Sequence, residues 1–164
     1  MTRKRIDSDY VRSSFFGIED SLVSTTGLIA GVAVGSQNTK YVILAGLVGI
    51  AVEAVSMGAG EFLSEETEHD LNKNDKANPL LGGLIMFVSY FLAGLIPLLP
   101  IILLPVSISL YVSIVAALVG LFVLGIAKGK VTNTNVLKSA IKVLVIGGIA
   151  AGIGIAVGIM LRPQ

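Results

Sequence analysis

The sequence of 164 residues contains no cysteine and no tryptophan, and its single histidine is His69. The absence of cysteine excludes disulfides and thiolate metal sites, and one histidine excludes a His-rich metal site. Charged residues are 14% of the chain, whereas a soluble domain carries roughly 25%. The formal net charge is +1, so no basic field indicates a nucleic-acid partner.

Apolar residues dominate what is present. Hydrophobic residues are 54% of the chain, and the mean hydropathy is +0.86. Five apolar segments reach the length of about 20 residues that a helix needs to cross a bilayer. They are residues 16–36, 41–62, 80–99, 106–127 and 139–161. No segment alternates with the period of a barrel strand. The sequence therefore predicts an all-α membrane protein with five transmembrane helices in a single domain, residues 1–164.

The distribution of basic residues predicts the orientation. Ten of the 12 Lys and Arg residues fall on the side that carries the N-terminus and the second and fourth loops; Lys40 and Arg162 fall on the other side. Positive charge collects on the cytoplasmic side of membrane proteins. We therefore expect a multi-pass protein of the cell membrane with the N-terminus in the cytoplasm and the C-terminus outside. The polar start, residues 1–14, does not resemble a removable signal peptide.

The connections between the predicted helices are short. Residues 37–40 are expected to form a tight hairpin, and residues 64–79 a short acidic cytoplasmic loop whose first half continues helix 2. Pro97, Pro100 and Pro105 are expected to break helix 3 from helix 4. Glycines repeat every four residues in two of the segments, which is typical of close helix packing. They are Gly27, Gly31 and Gly35 in the first, and the pairs Gly148 and Gly152, and Gly154 and Gly158, in the fifth.

Acidic residues follow one face of the second helix. Glu53, Met57, Glu61 and Glu65 are each four residues apart, so they lie one above another, and part of this face is inside the predicted span. Glu19 and Asp20 stand near the start of the first span. No Lys or Arg occurs in the middle of the spans, so these carboxylates require a bound cation, protons or water.

Each of these residues also has a simpler interpretation. Glu53 could be a protonated carboxyl that hydrogen-bonds a neighbouring helix, and Met57 could fill a gap in the packing. A mixed path of carboxylates and a thioether favours Fe²⁺ or Mn²⁺ over Mg²⁺ or Ca²⁺. The charged run beyond the span either gathers cations at the mouth of the path or is a solvated face. This run consists of Glu65, Glu66, Glu68, His69 and Asp70.

Several motifs in the same order resemble the vacuolar iron transporter family. Residues 17–32 read GIEDSLVSTTGLIAGV, similar to the D-G-L-V-S…G-L…G-V signature of the family. Residues 56–64 read SMGAGEFLS, similar to S-M-A-x-G-E-Y-L-S. The segments IPLLP at 96–100 and GIAKG at 125–129 extend the resemblance over nearly the whole chain from Phe16.

This resemblance implies a homodimer that exports Fe²⁺ or Mn²⁺ from the cytosol by proton antiport. Helices 1 and 2 of both subunits would line the path. The pathway aspartate, methionine and helix 2 glutamate of the family fall on Asp20, Met57 and Glu61. Full-length members carry a glutamate-rich domain between helices 2 and 3. Here it is absent or reduced to Glu65, Glu68 and their neighbours, so the chain resembles a short prokaryotic branch.

The expected function is thus divalent metal transport by a protein that is not an enzyme and has no resident cofactor. Asp20, Met57 and Glu61 would hold the ion near the cytoplasmic entrance, and Glu53 would relay a proton deeper in. Glu19, Glu65 and Glu68 would complete the candidate metal residues. The alternatives are a small proton-coupled exporter of organic cations and a non-transporting membrane subunit.

Overall fold

Five long helices make up the described part of this computed structural model, which covers residues 2–73 and 77–162, with side chains from Ser8 onward. The helices are α1 (Thr2–Ser36), α2 (Thr39–Leu71), α3 (Pro79–Leu103), α4 (Val106–Val131) and α5 (Val136–Met160). All five are long and apolar enough to cross a membrane. The predicted fold class, five membrane-spanning helices and no strand among the described residues, is confirmed.

Helix α1 lies at the centre of the bundle. It contacts each of the other four helices, whereas α2 packs mainly on α3, and α5 packs on α1 and α4. The central position is unexpected, because α1 is the least hydrophobic of the five candidate spans. It is explained by small hydroxyl side chains that are buried in the bundle, among them Ser13, Ser21, Thr25 and Thr26. Such residues let helices approach closely and can hydrogen-bond within or between them.

Many large aliphatic side chains point outward. Leu44 is 59% exposed and Val52 is 61% exposed on α2, and α3, α4 and α5 show the same pattern. In α2 the buried positions Val42, Gly46, Ile50, Ala54 and Gly58 repeat every four residues. A shell of exposed Leu, Val and Ile around a core that mixes small and large apolar residues suits hydrocarbon as the surrounding medium, because packing rather than burial from water then holds the helices together.

Polar caps fix three of the helix starts. The side chains of Asn38, Asn78 and Asn135 accept hydrogen bonds from backbone N–H groups in the first turns of α2, α3 and α5. Only Gln37 and Asn38 separate α1 from α2, and Gln37 takes a positive φ of 51° that reverses the chain. The tight hairpin is therefore present. The first half of the expected acidic loop continues α2 to Leu71, as predicted; Asp75 and Lys76 lie outside the described residues.

The prediction that Pro97 and Pro100 break helix 3 is wrong. Both prolines lie inside α3, which continues to Leu103, and only Pro105 stands at a helix boundary, as the N-cap of α4. A proline removes one backbone donor, and in a membrane bundle neighbouring helices can stabilise the interrupted turn. The acceptor that lacks its helical donor at Pro97 is the carbonyl of Ala93; the hydrogen bond of 2.6 Å from Ser113 of α4 to the carbonyl oxygen of Pro97 itself holds this turn of α3 against α4.

Glycine packing is confirmed for α1 and one face of α5. A Cβ atom added to Gly31 would lie 2.7 Å from the carbonyl oxygen of Gly154, and one added to Gly35 would lie 3.2 Å from that of Gly158. Gly148 and Gly152 differ, because a Cβ atom there meets nothing within 4 Å. Gly148 and Gly152 therefore face away from the other described helices.

Alanine substitutions should distinguish the glycines that pack against another helix from those that do not. Gly31→Ala forces the backbones of α1 and α5 apart, and overpacking of this kind costs about 1–3 kcal/mol. Gly152→Ala meets no atom and gains up to about 1 kcal/mol of helix propensity. Thermal unfolding in detergent should show a lower midpoint for Gly31→Ala and an equal or higher one for Gly152→Ala. Equal losses in both variants would contradict the packing of α1 on α5 described here.

Candidate functional site

The deepest of the predicted site residues, Glu53, sits in a hydrogen-bonded triad. Ser24 of α1 donates to Oε2 of Glu53 over 3.1 Å, and the hydroxyl of Tyr90 on α3 donates to the same oxygen. The two hydroxyl oxygens are themselves 2.6 Å apart. Tyr90 is fully buried. The triad joins the three helices α1, α2 and α3 at one point.

Ser24 and Tyr90 bring one hydroxyl hydrogen each to this triad. Both hydroxyls can donate to the carboxyl group of Glu53. The hydrogen bond to a neighbouring helix that the simpler interpretation of Glu53 required is thus present.

Tyr90 itself was missed in the sequence. Tyrosine in an apolar helix resembles ordinary core packing, so periodicity alone does not single it out. The structure places the Tyr90 hydroxyl, rather than only its ring, against the carboxylate. Ser21 of α1 holds the same turn of α3, since its Oγ donates to the carbonyl oxygen of Tyr90 over 2.6 Å.

A second group of charges lies where α2 passes the beginning of α1. Nη2 of Arg12 lies 3.4 Å from Oε1 of Glu61 and 3.3 Å from Oε1 of Glu65. Ser13 also donates to Oε1 of Glu61. The side chain of Glu65 is only 4% exposed and that of Glu61 11%, whereas Arg12 is 59% exposed. Two shielded carboxylates therefore share one guanidinium that enters from the solvent side.

Glu19 has a basic partner of its own, since its Oε2 lies 3.0 Å from Nζ of Lys128 at the end of α4. The expectation that no basic side chain would neutralise the acidic residues is therefore wrong for Glu19, Glu61 and Glu65. The physical reason is that long basic side chains reach the carboxylates from the ends of α1 and α4, outside the spans that the sequence defined.

An open cavity of about 840 Å³ is lined by members of both ion-pair groups, that of Arg12 and that of Lys128. Its walls come from α1, α2, α3 and α4, and its charged lining residues are Arg12, Glu19, Glu61 and Lys128. Most of the remaining wall is apolar, with Phe15, Phe16, Val11, Val131 and Met86 among its residues. A large cavity with few convergent charged groups is the usual form of a ligand or substrate site.

The predicted metal residues do not all meet in one place. Of Glu53, Met57 and Glu61, only Glu61 lines the 840 Å³ cavity. Met57 is half-buried between them on α2. Asp20 is half-buried on α1, where the charges of Glu53 and Glu19 act on it. Glu68 is half-buried on the last turns of α2. Within one copy of the chain, the described residues form no cluster of three or more His, Asp or Glu side chains fit to hold a metal ion.

Comparison with known proteins decides the family. The model of the VIT family matches residues 11–78 and 68–159. The chain belongs to the VIT family. The two matched stretches overlap at residues 68–78, which comprise the last turn of α2 and its connection to α3.

Similar VIT family proteins come from plants and from a microbe. Vacuolar iron transporter homolog 3 of Arabidopsis thaliana is 32% identical over 163 residues, which covers 89% of this chain and 80% of the relative. Vacuolar iron transporter 1 of the same plant is 25% identical over 206 residues, covering 87% and 82%. A protein of Methanocaldococcus jannaschii is 29% identical over 158 residues, which covers 84% of this chain and 82% of the relative.

The alignments with the two plant relatives differ in length. The alignment with vacuolar iron transporter 1 is the longer by far, although both cover nearly the same share of this chain. Vacuolar iron transporter 1 therefore contains residues without a counterpart here. This agrees with the short connection of α2 to α3 in the present chain.

The triad at Glu53 gives a prediction for stability. Tyr90→Phe keeps the ring but removes the hydroxyl, so Glu53 loses a donor in a buried position, at a cost of about 1–3 kcal/mol. Thermal unfolding in detergent should show this loss. Tyr111→Phe is the matched control, because Tyr111 of α4 is 72% exposed and should leave the midpoint unchanged. Equal midpoints for the two variants would argue against a structural role of the Tyr90 hydroxyl.

Proposed function

We propose that this VIT family protein exports Fe²⁺ or Mn²⁺ from the cytosol, through the cell membrane, in exchange for protons. The observation that carries the proposal is the line of Glu53, Met57 and Glu61 on α2, which ends at a charged cavity open to solvent. The relatives named as vacuolar iron transporters support a metal ion as the cargo.

In this proposal the 840 Å³ cavity is the entrance of the path. Glu61 and Glu19 give it carboxylate oxygens, which suit Fe²⁺ and Mn²⁺. Asp20 lies on α1 next to Glu19, and Met57 lies one turn beyond Glu61, so an ion leaving the cavity along α2 would meet them next. In this proposal Asp20, Met57 and Glu61 hold the ion, and Glu65 and Glu68 attract cations to the mouth.

Glu53 is the proton-carrying group of the proposal. The hydroxyls of Ser24 and Tyr90 can both donate to its carboxyl group. A divalent ion that approaches along α2 would favour the ionised carboxylate, and the proton would then leave. Uptake of a proton after the ion has passed returns Glu53 to its neutral form. Exchange of ion for proton at one carboxylate is the minimal device that antiport requires.

A homodimer completes the path. One chain does not bring three acidic or histidine ligands together among its described residues, but two copies related by a two-fold axis would supply Asp20, Met57 and Glu61 twice. An open groove of about 710 Å³ between α1 and α5 reaches Ser24 of the triad. On α2, a Cβ atom at Gly60 meets nothing within 4 Å, so a second copy can approach this helix closely beside Met57 and Glu61.

Transport into liposomes tests the function. Protein in vesicles with a proton gradient should accumulate Mn²⁺ or Fe²⁺, and the double variant Glu53→Gln with Met57→Ala should lose most of this activity. Loss of even an outer partner of a metal site costs about 10–100-fold. Lys138→Gln, on the exposed start of α5, is the control and should transport like the parent. Parental transport by the double variant would end the assignment of these two residues.

The direction of transport depends on the orientation, which can be measured because the chain has no native cysteine. Asn38→Cys places a thiol in the α1–α2 hairpin, and Asn133→Cys places one between α4 and α5. The positive-inside rule predicts that a membrane-impermeant maleimide added to intact cells labels Asn38→Cys only. Both thiols should react after lysis. Labelling of Asn133→Cys in intact cells would reverse the orientation.

A further inference from the structure

One guanidinium nitrogen occupies the place where a metal ion could join two carboxylates. Nη2 of Arg12 is 3.4 Å from Oε1 of Glu61 and 3.3 Å from Oε1 of Glu65. Both carboxylates turn an oxygen toward that single nitrogen, and the hydroxyl of Ser13 adds a third oxygen beside Glu61. A hard divalent ion binds oxygen ligands at about 2.0–2.6 Å, so it and Nη2 could not occupy this place together.

The charges of this group also favour exchange over joint occupancy. Two carboxylates and one guanidinium give the group a net charge of −1, so it lacks one positive charge. A divalent ion in place of the guanidinium balances both carboxylates, whereas a divalent ion added to the guanidinium would leave an excess positive charge. Asp9 and Glu68 act electrostatically on Glu65 as well, which further favours a doubly charged guest over a singly charged one.

We infer that Arg12 is a specificity-determining residue that competes with the cargo ion for Glu61 and Glu65. The inference rests on the proposed function and gives Arg12 a role in ion selection at the entrance of the proposed path. In the absence of metal, the guanidinium neutralises half of the charge of the two shielded carboxylates. Because it is attached to the chain, its effective concentration is high, and a free monovalent cation gains nothing by replacing it. A divalent ion gains additional attraction and displaces it.

The surroundings of Arg12 allow this displacement. Its side chain is 59% exposed, whereas Glu65 is 4% exposed, so the guanidinium can move into the 840 Å³ cavity or to solvent while the carboxylates stay in place. The pair of Lys128 and Glu19 lines the same cavity but joins one base to one acid. It is already balanced, so a divalent ion has less to gain there.

Equilibrium binding of Mn²⁺ to the purified full-length protein tests the inference. Arg12→Gln removes the competitor, and we expect the Mn²⁺ dissociation constant to fall about fivefold, a modest factor because Arg12 is largely solvated. Arg12→Met, which keeps the apolar stem, should give the same change. Arg12→Lys keeps the charge and should stay close to the parent. Lys130→Gln removes the same charge from an exposed position near the end of α4, outside the cavity lining, and should change the constant by less than about twofold.

A second measurement separates competition from a merely structural role. Mn²⁺ binding is compared in KCl and in N-methylglucamine chloride, both at about 0.15 M, so that screening is equal. The parent should bind Mn²⁺ equally in both salts. Arg12→Gln should bind it more weakly in KCl, because K⁺ can now enter between the uncovered carboxylates.

The outcomes distinguish this inference from the proposed function. Tighter binding by Arg12→Gln, with no transport by any variant in liposomes, would keep the inference and reject transport. Transport by the parent, together with the same Mn²⁺ dissociation constant in the parent, Arg12→Gln and Arg12→Met, would overturn the inference alone. Arg12 would then only hold α1 to α2 through its ion pairs. Equal gains in Arg12→Gln and Lys130→Gln would also overturn it, since the effect would then be a general change of the charge near the cavity. Absence of Mn²⁺ binding in every variant would overturn both.

Discussion

The close approach of α1 to all four other helices is the constraint on which the rest of the structure depends. Gly27, Gly31 and Gly35 bring α1 into backbone contact with α5, and hydroxyl residues of α1 are buried in the bundle together with Leu22 and Ile29. Small residues at these contacts let the neighbouring helices approach α1 closely. The same compact face sets Ser24 against Glu53 and Ser13 against Glu61, so the packing of α1 also builds the candidate path.

Acidic groups at the edge and in the middle of the bundle are stabilised in different ways. Near its charged end, Arg12 and Lys128 supply positive charge to Glu61, Glu65 and Glu19. Deeper in, Glu53 is held by hydroxyl groups alone among the partners described for it. Ion pairs are thus used where solvent can reach the basic partner, and hydrogen bonds to neutral groups where it cannot. This gradient suits a path in which a cation enters among charges and exchanges with a proton beyond them.

Much of the architecture could be predicted from the sequence, and the errors have identifiable causes. The number of helices, the hairpin at Gln37 and the extension of α2 to Leu71 follow from hydropathy and from turn-forming residues. The effect of Pro97 and Pro100 was misjudged, because a rule derived from isolated helices ignores contacts with neighbouring helices, such as the hydrogen bond from Ser113 that holds the Pro97 turn against α4. Tyr90 was overlooked for a similar reason: its role depends on which residue of α2 lies opposite, and periodicity within α3 does not contain that information.

The sequence by itself determined that the chain spans the membrane five times, and which carboxylates share the face of α2. Both properties depend on one segment at a time, through hydropathy and the period of the helix. Only the tertiary structure decided which groups neutralise those carboxylates, that Gly154 packs and Gly152 does not, and that α1 rather than a more apolar helix is central. These depend on the rotation and register of each helix against its neighbours, which arise from side chains distant in sequence meeting at one contact.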